Sequence, residues 1–133
     1  MKMLDQCRAE FAWKMVCQAG ENKGEVFEKY VSLVKKLPAM IHANSLGQTL
    51  AFLAGKAGMD RDGTVKPGSA EGLLYSQLQS WLSHEDGQFQ GPYLGSSNLL
   101  QSIHSQDSSS YRRANLETLA ILSYMRNFAS GLK

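Results

Sequence analysis

Residues 30–52, YVSLVKKLPAMIHANSLGQTLAF, constrain the fold more than any other stretch, because they specify a helix, a corner and a second helix in that order. The first helix is predicted from apolar residues at the three-four spacing that places side chains on one helical face, at Val26, Tyr30, Leu33 and Leu37. Pro38 has no amide hydrogen and disfavours helical geometry in the residue before it. We therefore expect the helix to stop or kink at Pro38, with Pro38 opening the next turn.

This boundary also predicts where two lysines lie. Lys35 and Lys36 directly precede the expected stop, so they are placed at a helix C-terminus, where the macrodipole favours cations. Asn44, Ser45 and Gly47 predict a second break. A short amphipathic helix follows this break and is expected to end near Gly55 or Gly58.

The rest of the chain shows the same helical periodicity. Helices are predicted over residues 3–19, 70–82 and 97–104, and a longest one runs from Tyr111 towards Gly131 with an apolar surface wide enough for a central helix. Polar, glycine-containing or serine-rich loops separate them at residues 56–68, 84–95 and 107–110. No segment has the period-two alternation of a strand, so we predict an all-α, compact single-domain bundle of about six helices.

Composition narrows the class of protein. The 133 residues are 43% hydrophobic, which suffices for one core without a disulfide or metal. Cys7 and Cys17 are about 15 Å apart along a continuous helix, too far to pair, and are interpreted as free thiols in a reducing compartment. The N-terminal residues mix charges into every turn, unlike a signal peptide or a membrane span. A cytoplasmic protein with no membrane contact is expected.

Metal and catalytic motifs are not apparent. His42, His84 and His104 lie in different segments, without a second His or a Cys at ligand spacing. Asp60, Asp62 and Glu71 resemble parts of a calcium loop, but Lys66 and Pro67 interrupt the pattern, and a charged turn is the better interpretation. The sequence has no nucleophile elbow, phosphate loop or paired carboxylates, so we expect no cofactor and no enzymatic activity.

The basic residues leave two interpretations open. The net charge of +2 is too small to indicate a nucleic-acid binder by itself, and the basic residues are explained by an ordinary solvated helix face. Arg112 and Arg126 nevertheless point the same way on the last helix, whereas Arg113 and Glu117 form an i,i+4 pair that can neutralise itself. A positive strip for a phosphate backbone would comprise Lys35, Lys36, Lys56, Arg112, Arg113 and Arg126.

Two segments carry a family resemblance: residues 30–52, and residues 111–132, YRRANLETLAILSYMRNFASGL. Both resemble the signature segments of the small helical (fifth) subunit of the Cmr effector complex in type III-B CRISPR systems. The KLPAMI run, the asparagine and the following LGQTLAF are specific, because no generic amphipathic helix requires those residues in that order. Ser45 departs from the family pattern, which usually has glycine after the asparagine, and residues 56–110 carry no match.

The resemblance implies a function and a set of partners. It implies that residues 1–133 form one all-helical domain of the Cmr small-subunit type, and that this domain is a non-catalytic subunit in antiviral defence. Its copies would stack beside the backbone subunits as the minor filament and contact guide RNA and target RNA. Base pairing reads sequence in such complexes, so a modest basic strip that recognises backbone charge would suffice.

Two further hypotheses remain. The chain is alternatively a pure protein–protein interaction module whose arginines are solvated, which the salt dependence of RNA association would distinguish. A small nuclease is the third hypothesis, and incubation with labelled RNA and a divalent metal would test it.

Overall fold

The computed structural model describes residues 3–21, 24–86 and 89–132, which form six α-helices and one two-stranded ladder. The helices are α1 Leu4–Gly20, α2 Glu25–Asn44, α3 Leu46–Ala57, α4 Ala70–Leu82, α5 Leu99–Ser105 and α6 Ser108–Leu132. The strands β1 Glu85–Asp86 and β2 Phe89–Gln90 pair antiparallel. The all-α prediction is confirmed, and the ladder is a small exception within the loop expected at residues 84–95.

The α2 helix lies at the centre and contacts α1, α3, α4 and α6, while α1 packs mainly along α6. The last helix, α6, is contacted by α1, α2 and α4, as expected for a helix that packs on several sides. Part of the wide apolar surface of α6 is not covered by the chain, since Leu116 is 60% exposed. Val26 is also outside the core at 43% exposure, and its neighbour Phe27 is buried instead.

The helix does not stop at Pro38, so that part of the prediction is wrong, and the alternative of a kink at Pro38 stays a prediction. The α2 helix continues through Pro38 to Asn44. A proline inside a helix costs roughly 3 kcal/mol, because it removes one backbone hydrogen bond and crowds the preceding turn. Val34, Leu37 and Ile41 are buried on both sides of Pro38, and each contributes about 1.5–3 kcal/mol when removed from water. Tertiary packing therefore outweighs the local penalty.

The corner between α2 and α3 consists of Ser45 alone, because α2 ends at Asn44 and α3 begins at Leu46. Ser45 has φ 121° and ψ 162°, a conformation that glycine adopts readily and other residues rarely. Its hydroxyl oxygen accepts a hydrogen bond from the Gln48 amide at 3.2 Å and so caps α3. The other end of α3 is at Ala57, followed by Gly58, as the sequence predicts.

An aromatic cluster attaches the β1–β2 ladder to the helices. The rings of Trp81 on α4 and Phe89 on β2 stack with their centroids 3.9 Å apart, and Phe11 on α1 lies 5.0 Å from Trp81. His84 packs against both Phe11 and Trp81. The ladder and the residues that follow β2 are thereby held against α1 and α4.

Candidate nucleic-acid interface

The two segments that carry the family resemblance meet at one end of the bundle. The backbone amide of Gly47, at the start of α3, donates a hydrogen bond to the Tyr111 hydroxyl oxygen at 3.0 Å. A cleft of about 440 Å³ beside this bond is lined by residues of both segments, including Ser45, Gln48 and Ala51 with Tyr111. The first turns of α6, which carry Arg112 and Arg113, are therefore fixed next to the Ser45 corner.

The start of α6 differs from the expected serine-rich turn. Residues 108–110 are already helical, because the Asp107 carboxylate accepts a hydrogen bond from the Ser110 amide at 2.8 Å and caps the helix. This amide and the charge of Arg112 lower the pKa of Asp107. Arg112 is exposed and makes no ion pair closer than 4 Å with the described residues, so its guanidinium is available to an outside anion.

The exposed face of α6 is not uniformly basic. Arg112 and Arg126 lie on it about 21 Å apart along the axis. Between them the face is apolar, with a groove of about 700 Å³ lined by Tyr111, Arg112, Asn115, Leu116, Leu119 and Ala120. Arg112 and Arg126 are therefore separate cationic positions with an apolar stretch of α6 between them.

Arg113 does not pair with Glu117, contrary to the i,i+4 expectation. Its Nη2 donates to the Gln90 carbonyl oxygen at 2.6 Å, which directs the side chain to the end of β2. Glu117 is 4% exposed and accepts two hydrogen bonds from Arg8 on α1, at 3.0 and 2.7 Å. These bonds raise the pKa of Arg8, although burial opposes them. Glu117 pairs with Arg8 of a distant helix instead of Arg113, because Arg8 can supply both hydrogen bonds that the buried carboxylate needs.

Lys35 and Lys36 are exposed but lie in the middle of α2, nine and eight residues before its last residue Asn44. The predicted position at a helix C-terminus is therefore wrong, because the helix does not end at Pro38. The macrodipole contributes little at that distance, since its effect is confined to the last turn. Both lysines are exposed and form no ion pair with the described residues.

Lys56 lies in the last turn of α3, with its Nζ 6.0 Å from the centre of the Phe52 ring. It is also close enough to Glu71 on α4 to act on its carboxylate, together with Lys29, whose Nζ is 3.0 Å from the Glu71 oxygen. Burial opposes the charge of Glu71, but Lys29, a backbone amide and Lys56 together lower its pKa. Lys56 is thus part of a structural charge cluster at the end of the bundle opposite Arg112.

The structure places the six predicted basic residues at separate positions on the surface. Arg112 and Arg113 share the end near Ser45, Lys56 lies near the start of α2, and the others lie along the flanks of α2 and α6. Arg61 and Lys66, which are not part of the predicted strip, are exposed in the loop after α3. The many charged residues in the sequence of that loop could have predicted that Arg61 and Lys66 are exposed.

Other sites receive no structural support. Among residues 3–21, 24–86 and 89–132, no group of three or more His, Cys, Asp or Glu side chains is placed to hold a metal ion. Cys7 is buried and Cys17 half-buried, both as thiols. Within the same residues, every helix is too short or too polar to cross a membrane.

Two comparisons with known proteins bear on this arrangement. The family model described as CRISPR-associated protein (Cas_Cmr5) matches residues 4–132. Among solved structures, the chain is similar to the X-ray crystal structure of a CRISPR-associated Cmr5 family protein from Thermus thermophilus. The two share 24% sequence identity and a TM-score of 0.69, over 99% of this chain and 98% of that one. At this identity the structural likeness establishes the fold alone.

Proposed function

The chain belongs to the Cmr5 family of CRISPR-associated proteins, and we propose that it is a non-catalytic structural subunit of a type III-B Cmr complex that contacts guide and target RNA. Family membership makes it a subunit of a CRISPR Cmr complex. The resemblance seen in residues 30–52 and 111–132 is confirmed by the match over residues 4–132. Stacking of copies as a minor filament beside the backbone subunits, in the cytoplasm, is part of the proposal.

One observation supports the proposed RNA contact. The hydrogen bond from the Gly47 amide to Tyr111 fixes the first turn of α6 against the Ser45 corner, and Arg112 projects from this turn without an ion pair to the described residues. A guanidinium on a rigid, exposed turn is suited to a phosphate, because its donors match two phosphate oxygens. Contacts repeated over many copies raise the total affinity without strong binding by any one copy.

The test uses the assembled complex. Exchange of Arg112 and Arg126 for glutamine, the double variant R112Q/R126Q, should weaken capture of target RNA and reduce the dependence of log affinity on log salt. The expected reduction in slope is about 1.4 for each copy of the chain that contacts the RNA, or roughly 0.7 for each single-strand phosphate that is no longer neutralised. The matched control is R61Q/K66Q, which removes the same charge from the loop after α3 and should leave the slope unchanged. An unchanged slope in R112Q/R126Q would remove both arginines from the role.

A second function, protein contact without RNA, is favoured by the apolar groove on α6. Leu116 is 60% exposed in this groove, and together with Leu119 and Ala120 it leaves a continuous apolar surface uncovered. We propose that the groove contributes to contact with a neighbouring subunit. Leu116→Asp should lower the amount of this chain that copurifies with the complex, while the complexes that do form capture RNA normally. Full incorporation of Leu116→Asp would exclude the groove as a contact.

A further inference from the structure

Phe52 places an aromatic ring on the outer surface of α3. It is 39% exposed, although it lies within residues 30–52, one of the two segments that carry the family resemblance. The buried side of α3 is formed by its neighbours Leu50, Leu53 and Ala54, so Phe52 is not required to close the core. An aromatic ring left at the surface of a helix is a platform on which a flat ligand can stack.

Two polar side chains border Phe52 along the same line of α3. Gln48 lies one turn before it and Lys56 one turn after it, and both are exposed. Successive members of this line are about 6 Å apart along the axis and about 40° apart around it, so all three face the solvent together. The side-chain amide of Gln48 has no hydrogen-bond partner among the described residues, so its donors and its acceptor are available to a ligand.

The charges beside Phe52 favour an anionic ligand. The Lys56 Nζ lies 6.0 Å from the ring centre, at the outer limit of a cation–π contact. Glu71 on α4 is near Lys56, but its carboxylate is already paired with Lys29 at 3.0 Å, so these three residues keep one net positive charge. The loop after α3 adds no net charge, because it contains two acidic and two basic residues, Asp60, Arg61, Asp62 and Lys66.

The line of α3 side chains continues into the cleft of about 440 Å³ at the start of α6. Gln48 belongs to both, because it also lines this cleft opposite Tyr111. The Tyr111 hydroxyl accepts one hydrogen bond from a backbone amide and keeps its own proton for an outside acceptor. Arg112 follows Tyr111 directly and is exposed. A continuous surface therefore leads from Arg112 through the cleft to Phe52 and Lys56.

We propose that this surface binds a short stretch of unpaired RNA, with one base stacked on Phe52, a phosphate at Lys56, and a base edge or ribose hydroxyl at Gln48. The inference rests on the proposed RNA contact and makes it more specific. An aromatic ring, a cation and a polar side chain supply the kinds of contact by which proteins hold single strands. A duplex covers both faces of its internal bases and cannot use the ring in this way. Gln48 and Lys56 are about 12 Å apart along the axis, the length of about three to four stacked nucleotides.

The test uses the full chain and NMR or calorimetric titration with single-stranded hexauridylate, a duplex RNA and inorganic phosphate. Hexauridylate should bind most tightly, because it alone offers open base faces together with phosphates. Phe52→Leu keeps an apolar side chain and removes the ring, and it should weaken hexauridylate binding about 5–100-fold. The matched control is Trp13→Leu, which removes another exposed aromatic ring, on α1, and should bind as the parent does. Lys56→Gln should lower the slope of log affinity against log salt by about 0.7, the value for one single-strand phosphate.

Thermal unfolding curves check that these variants fold. Equal binding of hexauridylate by Phe52→Leu and the parent would overturn the proposal. So would an absence of hexauridylate binding by the parent, tighter binding of the duplex, or an equal response to inorganic phosphate. An equal loss of binding in Trp13→Leu would also overturn it, because exposed rings would then bind the strand without a defined site.

Two comparisons separate this proposal from its alternatives. Phe52→Leu should enter the assembled complex in the same amount as the parent. Reduced incorporation with unchanged hexauridylate binding would assign Phe52 to a protein contact and overturn the proposal. Adding Phe52→Leu to R112Q/R126Q should weaken hexauridylate binding by the same factor as in the parent. If that factor is found while the R112Q/R126Q complex captures RNA normally, the role of the arginines fails and the Phe52 site stands.

Discussion

The single-residue corner between α2 and α3 makes a quantitative prediction about stability. Ser45 adopts φ 121° and ψ 162°, which lies in a region that is essentially reserved for glycine. Holding a residue with a Cβ there costs about 1–3 kcal/mol. Ser45→Gly should relieve this strain, and glycine is the residue that the family usually carries at this corner.

Two effects oppose the gain. The Ser45 hydroxyl caps α3 through the Gln48 amide at 3.2 Å, and replacing a serine cap by glycine costs a few tenths of a kcal/mol. Glycine also increases the freedom of the unfolded chain, which costs about 0.4–1 kcal/mol. The net expectation is that the free energy of unfolding rises by about 1 kcal/mol. With an unfolding entropy of about 2.1 cal/mol/K per residue, this raises the Tm by about 3–4 °C for a chain of 133 residues.

Urea unfolding and scanning calorimetry of the parent, Ser45→Gly and Ser45→Ala measure this balance. Alanine keeps the strained backbone and removes the cap, so Ser45→Ala should be less stable than the parent by about 1 kcal/mol. The predicted order is therefore glycine, serine, alanine. A Ser45→Gly protein that is less stable than the parent would refute the reasoning, because the cap and the unfolded-state entropy would then outweigh the strain.

Two further substitutions test buried charges. Arg8→Met should lower the free energy of unfolding by about 3 kcal/mol, because it leaves the buried Glu117 carboxylate without its partner. Urea unfolding measures this loss. The control is Lys14→Met, which breaks only an exposed pair on α1 and should cost less than about 0.5 kcal/mol. Equal losses would show that Glu117 does not depend on Arg8. Glu71→Gln should flatten the decline of stability below about pH 5. The folded-state pKa of Glu71 lies below its ordinary value, so ionised Glu71 stabilises the fold. This contribution is present above the unfolded-state pKa and is lost as pH falls through the folded-state pKa. Parallel declines in the urea midpoint of the two proteins would contradict the assigned role of Lys29.

The helices were predictable because their signals are local. The periodicity of apolar residues and the glycine after Ala57 depend on neighbours in sequence, and the structure agrees with both. The prediction at Pro38 failed because the packing of Val34, Leu37 and Ile41 outweighs a local preference. That packing depends on α3, α4 and α6, and no rule applied to one helix can include it.

The candidate site was less predictable than the fold. The exposure of Lys35, Lys36, Arg112 and Arg126 follows from helical periodicity, and their role in RNA binding stays a prediction. The partner of Glu117 was missed because Arg8 is 109 residues away in the chain. A polar cavity of about 520 Å³ lined by residues 90–96, Ser102 and Arg113 was missed because it combines a loop with two helices, and the relative rotation of packed elements is not encoded in any single segment.

The packing of α1 along α6 has a consequence for synthesis in the cell. Ribosomes add roughly 5–20 residues per second, so about 5–20 s pass between translation of Arg8 and of Glu117, which are 109 residues apart. During this interval the apolar side of the nascent α1, which packs mainly along α6 in the folded chain, lacks that helix. The emerging polypeptide therefore exposes an apolar segment that can bind chaperones or other nascent chains until translation is nearly finished.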